Sequence, residues 1–357
     1  MIAPATQDLE QAQINFEQFF QDFLAKKKND YEYGEFFESI YFHMCEYVGR
    51  KGKRVRPLLL LHTYRTLGGS RQLNDPSLTA VAISLELLHT FILIHDDVID
   101  RSDRRRGLPT FHKLVEEKLN RIQDGPRVGE NVAIVVGDII FALAIETLNT
   151  TDFPPRLKTD LISLFLRYTT DTGAGEIYDI LLATKDIQKV KREDIMLMYH
   201  LKTTRYTFEA PCMMGALLCE ATQEQLQALN DFAKPTGLAF QILNDLQEFR
   251  HFDANDQLLS SDILEGKKTF LLCEAYERLN EIDRSFLQMC LAQPTRNDAT
   301  IAKIKDLINR SEAVNYLKEL CDELFLSAET KLNSSFSHEE IVSLTKITHR
   351  IKDQMSR

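Results

Sequence analysis

Apolar residues recur at intervals of three and four along most of this chain, and that spacing restricts it to helices. Val314, Leu317, Cys321, Leu324 and Ala328 step in this way, as do Phe111, Leu114, Val115, Leu119 and Ile122. No stretch alternates convincingly with the period of two that a half-buried strand requires. Glycine and proline, 14 and 10 among 357 residues, are scarce for a turn-rich fold. Breaks between helices are expected at Gly68-Gly69, QDGPRVG (123–129), Pro154-Pro155 and DANDQLLSS (253–261). The pattern predicts one all-α domain spanning residues 1–357, with roughly ten or more helices. A helical bundle of this size can enclose a cavity ringed by inward-facing polar groups.

Composition narrows the setting. Apolar residues make up 44% of the chain, ample for one large core, and no linker-like tract divides it. No apolar run is expected to approach the roughly 18 residues of a membrane span. The opening stretch MIAPATQDLEQAQ has neither a basic, apolar leader nor an Arg-rich transit character. Six scattered cysteines form no CxxC pair, which indicates neither a disulfide framework nor a zinc site. Together these features predict a reducing cytoplasm. A net charge of −10 argues against nucleic acid as a partner.

Against that acidic background the charges in FILIHDDVIDRSDRRRG (91–107) are sorted rather than mixed. Asp96, Asp97 and Asp100 close an apolar run, and Arg104, Arg105 and Arg106 follow. Helical spacing puts the three carboxylates on about one face, where they repel unless a cation separates them. Hard oxygen donors with phosphate completing the shell suit Mg²⁺. His89 and Glu86 lie on the same helix, upstream. A second oxygen-rich face recurs in GLAFQILNDLQEF (237–249), where Gln241, Asn244, Asp245 and Glu248 are spaced by three and four. A second basic cluster, KGKRVR (51–56), completes the set of anion-binding candidates; taken alone, each basic cluster also reads as a solvated surface. Other motifs fail: EGKKT (265–269) lacks the earlier glycine of a phosphate loop, because Ser261 stands there. DANDQ (253–257) lacks the glycine of a calcium loop, because Leu258 stands there.

Taken together, GKRVRP (52–57), ELLHTFILIHDDVIDRSDRRRG (86–107), GEIYD (175–179), KTTRYTF (202–208), FQILNDLQEF (240–249) and DILEGKKT (262–269) resemble the trans-isoprenyl diphosphate synthases, or polyprenyl synthetases. The likeness spans about 40–270, leaving 271–357 as C-terminal helices without a signature. It implies an all-α bundle around a deep central cavity, usually a homodimer. It also implies head-to-tail condensation of isopentenyl diphosphate with an allylic diphosphate (dimethylallyl, geranyl or farnesyl). By position, Asp96, Asp97, Asp100, Asn244, Asp245 and Glu248 match the metal side, with two to three Mg²⁺ ions per site. Lys53, Arg56, His89 and Arg106 match the isopentenyl diphosphate site. Arg105, Lys202 and Lys267 match cations on the allylic diphosphate. Thr203 and Gln241 join Lys202, Lys267 and the three aspartates as catalytic groups. The implied chemistry ionises an allylic C–O bond above an apolar wall, and a proton is then lost to the released diphosphate.

The second motif departs from the family's DDxxD, reading Asn244-Asp245-Leu246-Gln247-Glu248. Weaker binding of a third Mg²⁺ is the expected consequence. Phe91 and Ile92 lie five and four residues before Asp96, about one helix turn below it, where a growing prenyl tail would pass. A phenyl ring there predicts a product of C15 to C20, with geranylgeranyl diphosphate favoured; simple core packing is the competing reading of Phe91. Two rival functions remain: a class I terpene cyclase, and a non-catalytic partner of another prenyl synthase. A cyclase would need Ser or Thr at 248 and Glu at 252, where this chain has Glu248 and Phe252, and it has no use for GKRVRP. A non-catalytic partner would have little need of the arginines, lysines and first-motif aspartates present here.

Overall fold

The computed structural model describes residues 4–28, 33–105, 107–118, 125–251, 263, 266–293 and 297–356. Helices account for most of them, and the only strands among the described residues are a two-residue pair, so the chain is all-α. It divides into two compact units, Met1–Ser163 with Leu217–Cys219, and Leu164–Ala216 with Glu220–Arg357. Three expectations, Arg106, Phe252 and the break at 253–261, fall outside the described residues, as do Leu119 and Ile122.

The first unit contains α1 (Pro4–Lys27), α2 (Glu35–Val48), α3 (Val55–Thr66), α4 (Pro76–Ile99), α5 (Phe111–Lys118) and α6 (Gly125–Asn149). Its central element is α4. Asp75 caps it by accepting the Leu78 N–H at 2.9 Å, and Pro76 occupies the first turn, where its missing N–H costs nothing. Leu78, Val81, Leu85 and Leu88 are buried, and so are Ile83, Ser84, Glu86 and Leu87 on the other sides. A helix buried nearly all round belongs in a core. Helix α6 lies along it, and Gly137 makes the approach possible: a Cβ there would stand 2.4 Å from His95 Nε2.

Both α4 and α6 are long and apolar enough to cross a membrane by length and composition. That corrects the expectation that no apolar run reaches such a size. The sequence shows two acids at the end of α4 and misses that its apolar stretch alone is long enough. In α4 most of the apolar stretch is buried inside the protein; in α6 less of it is.

Helix α4 ends in a Schellman turn. The Ser102 N–H reaches the Asp97 carbonyl at 2.9 Å and the Arg101 N–H reaches that of Val98 at 3.3 Å, with Arg101 left-handed at φ 50°. The chain therefore reverses at once into a small antiparallel ribbon, Arg104–Arg105 (β1) against Leu108–Pro109 (β2). Gly107, at φ 78°, supplies the positive φ of its turn.

The second unit holds most of α7 (Pro155–Thr184), followed by α8 (Arg192–Tyr199), a π-helical segment His200–Glu209 and α9 (Ala210–Leu218). Then come α10 (Gln223–His251), α11 (Phe270–Arg278), α12 (Glu281–Leu291), α13 (Asp298–Arg310), α14 (Ala313–Ser335) and α15 (His338–Ser356). Helices α10 and α14 pack along each other through buried Ala239, Ile242, Leu246, Leu317, Cys321 and Ala328. The π segment is the unusual element, since i→i+5 turns are rare and collect at functional sites. Two glycines crowd it. A Cβ on Gly175 of α7 would lie 2.2 Å from the Lys202 backbone nitrogen, and one on Gly237 of α10 would lie 2.5 Å from Thr204 Cγ2.

Candidate active site

In the first unit the candidate residues gather where α4 ends. Carboxylates at a helix C-terminus face the negative end of the macrodipole, so Asp96, Asp97 and Asp100 are placed where anions are disfavoured unless cations attend them. One cation comes from the ribbon. Arg105 Nε donates to Asp97 Oδ1 at 2.6 Å and its Nη2 to Asp96 Oδ2 at 3.2 Å. Asp97 is 0% exposed, and its other oxygen accepts from the Tyr47 hydroxyl at 2.8 Å. Burial pushes the Asp97 carboxyl up, against the opposing pull of Arg105. Burial and the Asp97 charge together hold the Tyr47 phenol protonated, hence a donor. The three aspartates are thus not equivalent. Asp97 turns inward and anchors the ribbon, whereas Asp96 and Asp100 stay partly exposed one turn apart, with the Asp100 N–H on the Asp96 carbonyl at 2.8 Å.

Of the isopentenyl diphosphate candidates, Lys53 is exposed, Arg56 buried and His89 half-buried. Phe91 is half-buried, its ring 5.2 Å from that of Phe141 on α6 and 4.8 Å, edge-on, from His95. Ile92 beside it is also half-buried.

In the second unit Thr203, Gln241 and Asp245 are joined by hydrogen bonds beside the π segment. Thr203 Oγ1 donates to Gln241 Oε1 at 2.8 Å, and Gln241 Nε2 donates to Asp245 Oδ1 at 3.0 Å. The Tyr199 hydroxyl donates to the other Asp245 oxygen and accepts the Phe270 N–H at 2.7 Å. Burial raises Asp245 to about 7, with Tyr199 and Gln241 pulling the other way. Asn244 and Glu248 are half-buried on the same helix, and Lys267 follows Gly266 at φ 74°. Lys202 is clamped between Glu176 at 2.7 Å and Asp179 at 2.6 Å, both on α7.

Sequence reasoning assigned no role to four of these groups. Glu176 and Asp179 sit three apart in GEIYD, a spacing that could have flagged them as partners for a lysine. Tyr47 and Tyr199 carry no local signal, because their roles depend on distant residues meeting in the fold.

A sequence profile of the Polyprenyl synthetase family matches residues 38–308, which includes every candidate above. The chain belongs to the polyprenyl synthetase family. It is a prenyltransferase with the all-α fold of that family. The synthetase is 28% identical over 296 residues to the geranylgeranyl diphosphate synthase of Sulfolobus acidocaldarius, covering 81% of this chain and 82% of that one. It is 30% identical over 267 residues to the short chain isoprenyl diphosphate synthase of Methanothermobacter thermautotrophicus, covering 74% and 75%. A geranylgeranyl pyrophosphate synthase from Corynebacterium glutamicum, solved with isoprenyl diphosphate and magnesium, superposes with a TM-score of 0.83 at 25% identity. That superposition covers 96% of this chain and 97% of the other. The family match runs past residue 270 into helices where the sequence alone offered no signature.

Proposed function

We propose that this synthetase joins isopentenyl diphosphate head-to-tail to an allylic diphosphate, giving an all-trans prenyl diphosphate of C15 to C20, geranylgeranyl diphosphate foremost. The observation that carries this reading is the pair Asp96 and Asp100, partly exposed at a helix C-terminus with Arg105 folded back beside them. That cluster calls for further positive charge. Its donors are all oxygen, as are those of Asn244, Asp245 and Glu248, and such a set fits Mg²⁺ better than a softer metal. Mg²⁺, when bound, supplies Lewis-acid stabilisation of the departing diphosphate. In this reading Asp96 and Asp100 of the first unit hold such ions, and Asn244, Asp245 and Glu248 of the second offer a like set of oxygens.

The chain's own groups do the rest. Arg105, Lys202 and Lys267 neutralise charge that develops on the leaving group, while Lys53, Arg56, His89 and Arg106 hold the second diphosphate. Glu176 and Asp179 hold the Lys202 ammonium in place until substrate arrives. The Thr203–Gln241–Asp245 chain fixes the amide of Gln241 so that its dipole is set before the carbocation forms. The whole chain acts as one catalytic domain, and a homodimer is the expected assembly: α7 exposes Leu166, Ile177 and Leu181 along one stripe. A cytoplasmic location accords with α4 serving as a core helix.

Purified protein given Mg²⁺, isopentenyl diphosphate and each allylic primer in turn tests the reading. Elongated linear products support it. A cyclic hydrocarbon from a single substrate would make the protein a cyclase, and no turnover a non-catalytic partner. Chain length has its own check: Phe91→Ala opens the space between Phe91 and Phe141 and is expected to shift the main product upward by one or more isoprene units. An unaltered profile on product chromatography would leave Phe91 as packing alone. Asn244→Asp adds a formal charge to the second motif and is expected to lower the Mg²⁺ concentration for half-maximal rate several-fold, about 1 kcal/mol of added attraction. A superimposable Mg²⁺ titration would remove Asn244 from the metal site.

A further inference from the structure

The loop that carries Lys53, and the first turn of α3 that carries Arg56, are held by a buried ionic network that lies outside the candidate ligands. Arg54 sits between Lys53 and α3 in a left-handed conformation, φ 49° and ψ 38°, which a side chain other than glycine rarely adopts. It points inward while Lys53 stays exposed. Its guanidinium makes four hydrogen bonds among the described residues. Nε and Nη2 donate to the two Glu17 oxygens at 2.8 and 3.1 Å, Nη1 donates to Glu86 Oε2 at 2.7 Å, and Nη2 also meets the Arg50 carbonyl at 3.1 Å. The Phe20 ring of α1 lies 5.1 Å from its centre. Glu86 is 3% exposed, and its Oε1 is buried without a hydrogen-bond partner among the described residues.

Burying such charges is costly, and apolar side chains of similar volume commonly stabilise a core as well or better. Strained backbone of this kind collects at ligand clamps. The network also has a telling position. It joins the junction between the Lys53 loop and α3 to α4 at Glu86, one turn before His89, and to α1 at Glu17. Three of the four groups assigned to isopentenyl diphosphate are therefore adjacent to, or one turn from, a member of the network.

We propose that Arg54, Glu86 and Glu17 are positioning residues that lock Lys53, Arg56 and His89 into one diphosphate-binding geometry, with α1 as the brace. The proposal rests on the assignment of those three residues to isopentenyl diphosphate. Glu86→Gln and Glu17→Gln keep shape and remove charge. Each is expected to raise KM for isopentenyl diphosphate about tenfold, as a displaced ligand set does. The KM for the allylic substrate and kcat at saturation should stay within about twofold. Arg54→Lys, with charge but no fork, should recover only part of the affinity.

Glu17 is partly exposed, so its variant keeps the test available should Glu86→Gln fail to fold. Lys53→Ala serves as the reference. If it raises KM for isopentenyl diphosphate and both glutamine variants leave it unchanged, the positioning network is overturned. A parallel rise in both KM values would overturn it too, by assigning the network to fold maintenance. If Lys53→Ala itself has no effect, the ligand assignment fails and takes the network's role with it, a result distinct from the other two.

Discussion

Asp96→Asn is expected to lower kcat/KM for the allylic substrate by about a thousandfold, equivalent to about 4 kcal/mol of lost transition-state stabilisation. The melting temperature should hardly move. Asp96 is partly exposed at the end of α4, and the loss of its charge relieves repulsion with Asp97 and with the negative end of the helix dipole. Asp97→Asn should behave differently. Its carboxylate is buried and takes bonds from both Tyr47 and Arg105, so the variant breaks an ion pair that closes the ribbon onto the helix. It should lose stability along with rate, at roughly 2–4 °C of melting temperature per kcal/mol for a unit of this size. Kinetics paired with thermal melts of both variants make the comparison. Equal thermal losses would show that the two aspartates do the same work.

The second large effect is expected from Gly175→Ala. The added methyl would stand 2.2 Å from the Lys202 backbone nitrogen and 2.6 Å from its Cα, atoms that have no freedom to rotate away. Either α7 or the π segment must shift by about 1 Å or more, and overpacking of that kind costs about 1–3 kcal/mol or more. The shift also pulls Lys202 off Glu176 and Asp179 and drags Thr203 from Gln241. A misplacement of that order at catalytic groups costs about a hundredfold in rate. The neighbouring Gly173→Ala, whose Cβ meets nothing within 4 Å, is the matched control and should remain close to wild type. Retention of full activity in Gly175→Ala would mean that the close approach has no part in placing Lys202.

How much of this was legible beforehand divides by the range of the interactions. The all-α character followed from the three-and-four spacing, and α14 buries Leu317, Cys321 and Ala328 as that spacing requires. The breaks at Gly68 and Pro154-Pro155 fall where helices end or begin, because their causes are local: a positive φ at one and missing backbone donors at the other. The aspartates could be found, since spacing along a helix is written in the sequence. Their unequal roles could not. Whether Asp97 turns in depends on Tyr47, fifty residues earlier, and on a turn that brings Arg105 back. The π segment was equally hidden, for KTTRYTF reads as ordinary helix until Gly175 and Gly237 press against it. The length of the apolar stretch in α4 was readable and was underestimated, because its few polar residues disguised a nearly continuous core.

The ten-residue segment His200–Glu209 gives this enzyme an asymmetric tolerance to changes in reading length. Losing one codon there would let the ladder of backbone bonds relax to the commoner four-residue spacing, a gain in local comfort. It would also spin everything on one side of the cut by about 100° about the axis, the angle between successive residues. If the loss falls at His200 or Leu201, Lys202 and Tyr199 could then no longer face Asp179 and Asp245 together. A shortened protein of that type would fold more willingly at one helix and, on the proposed role of Lys202, be chemically mute.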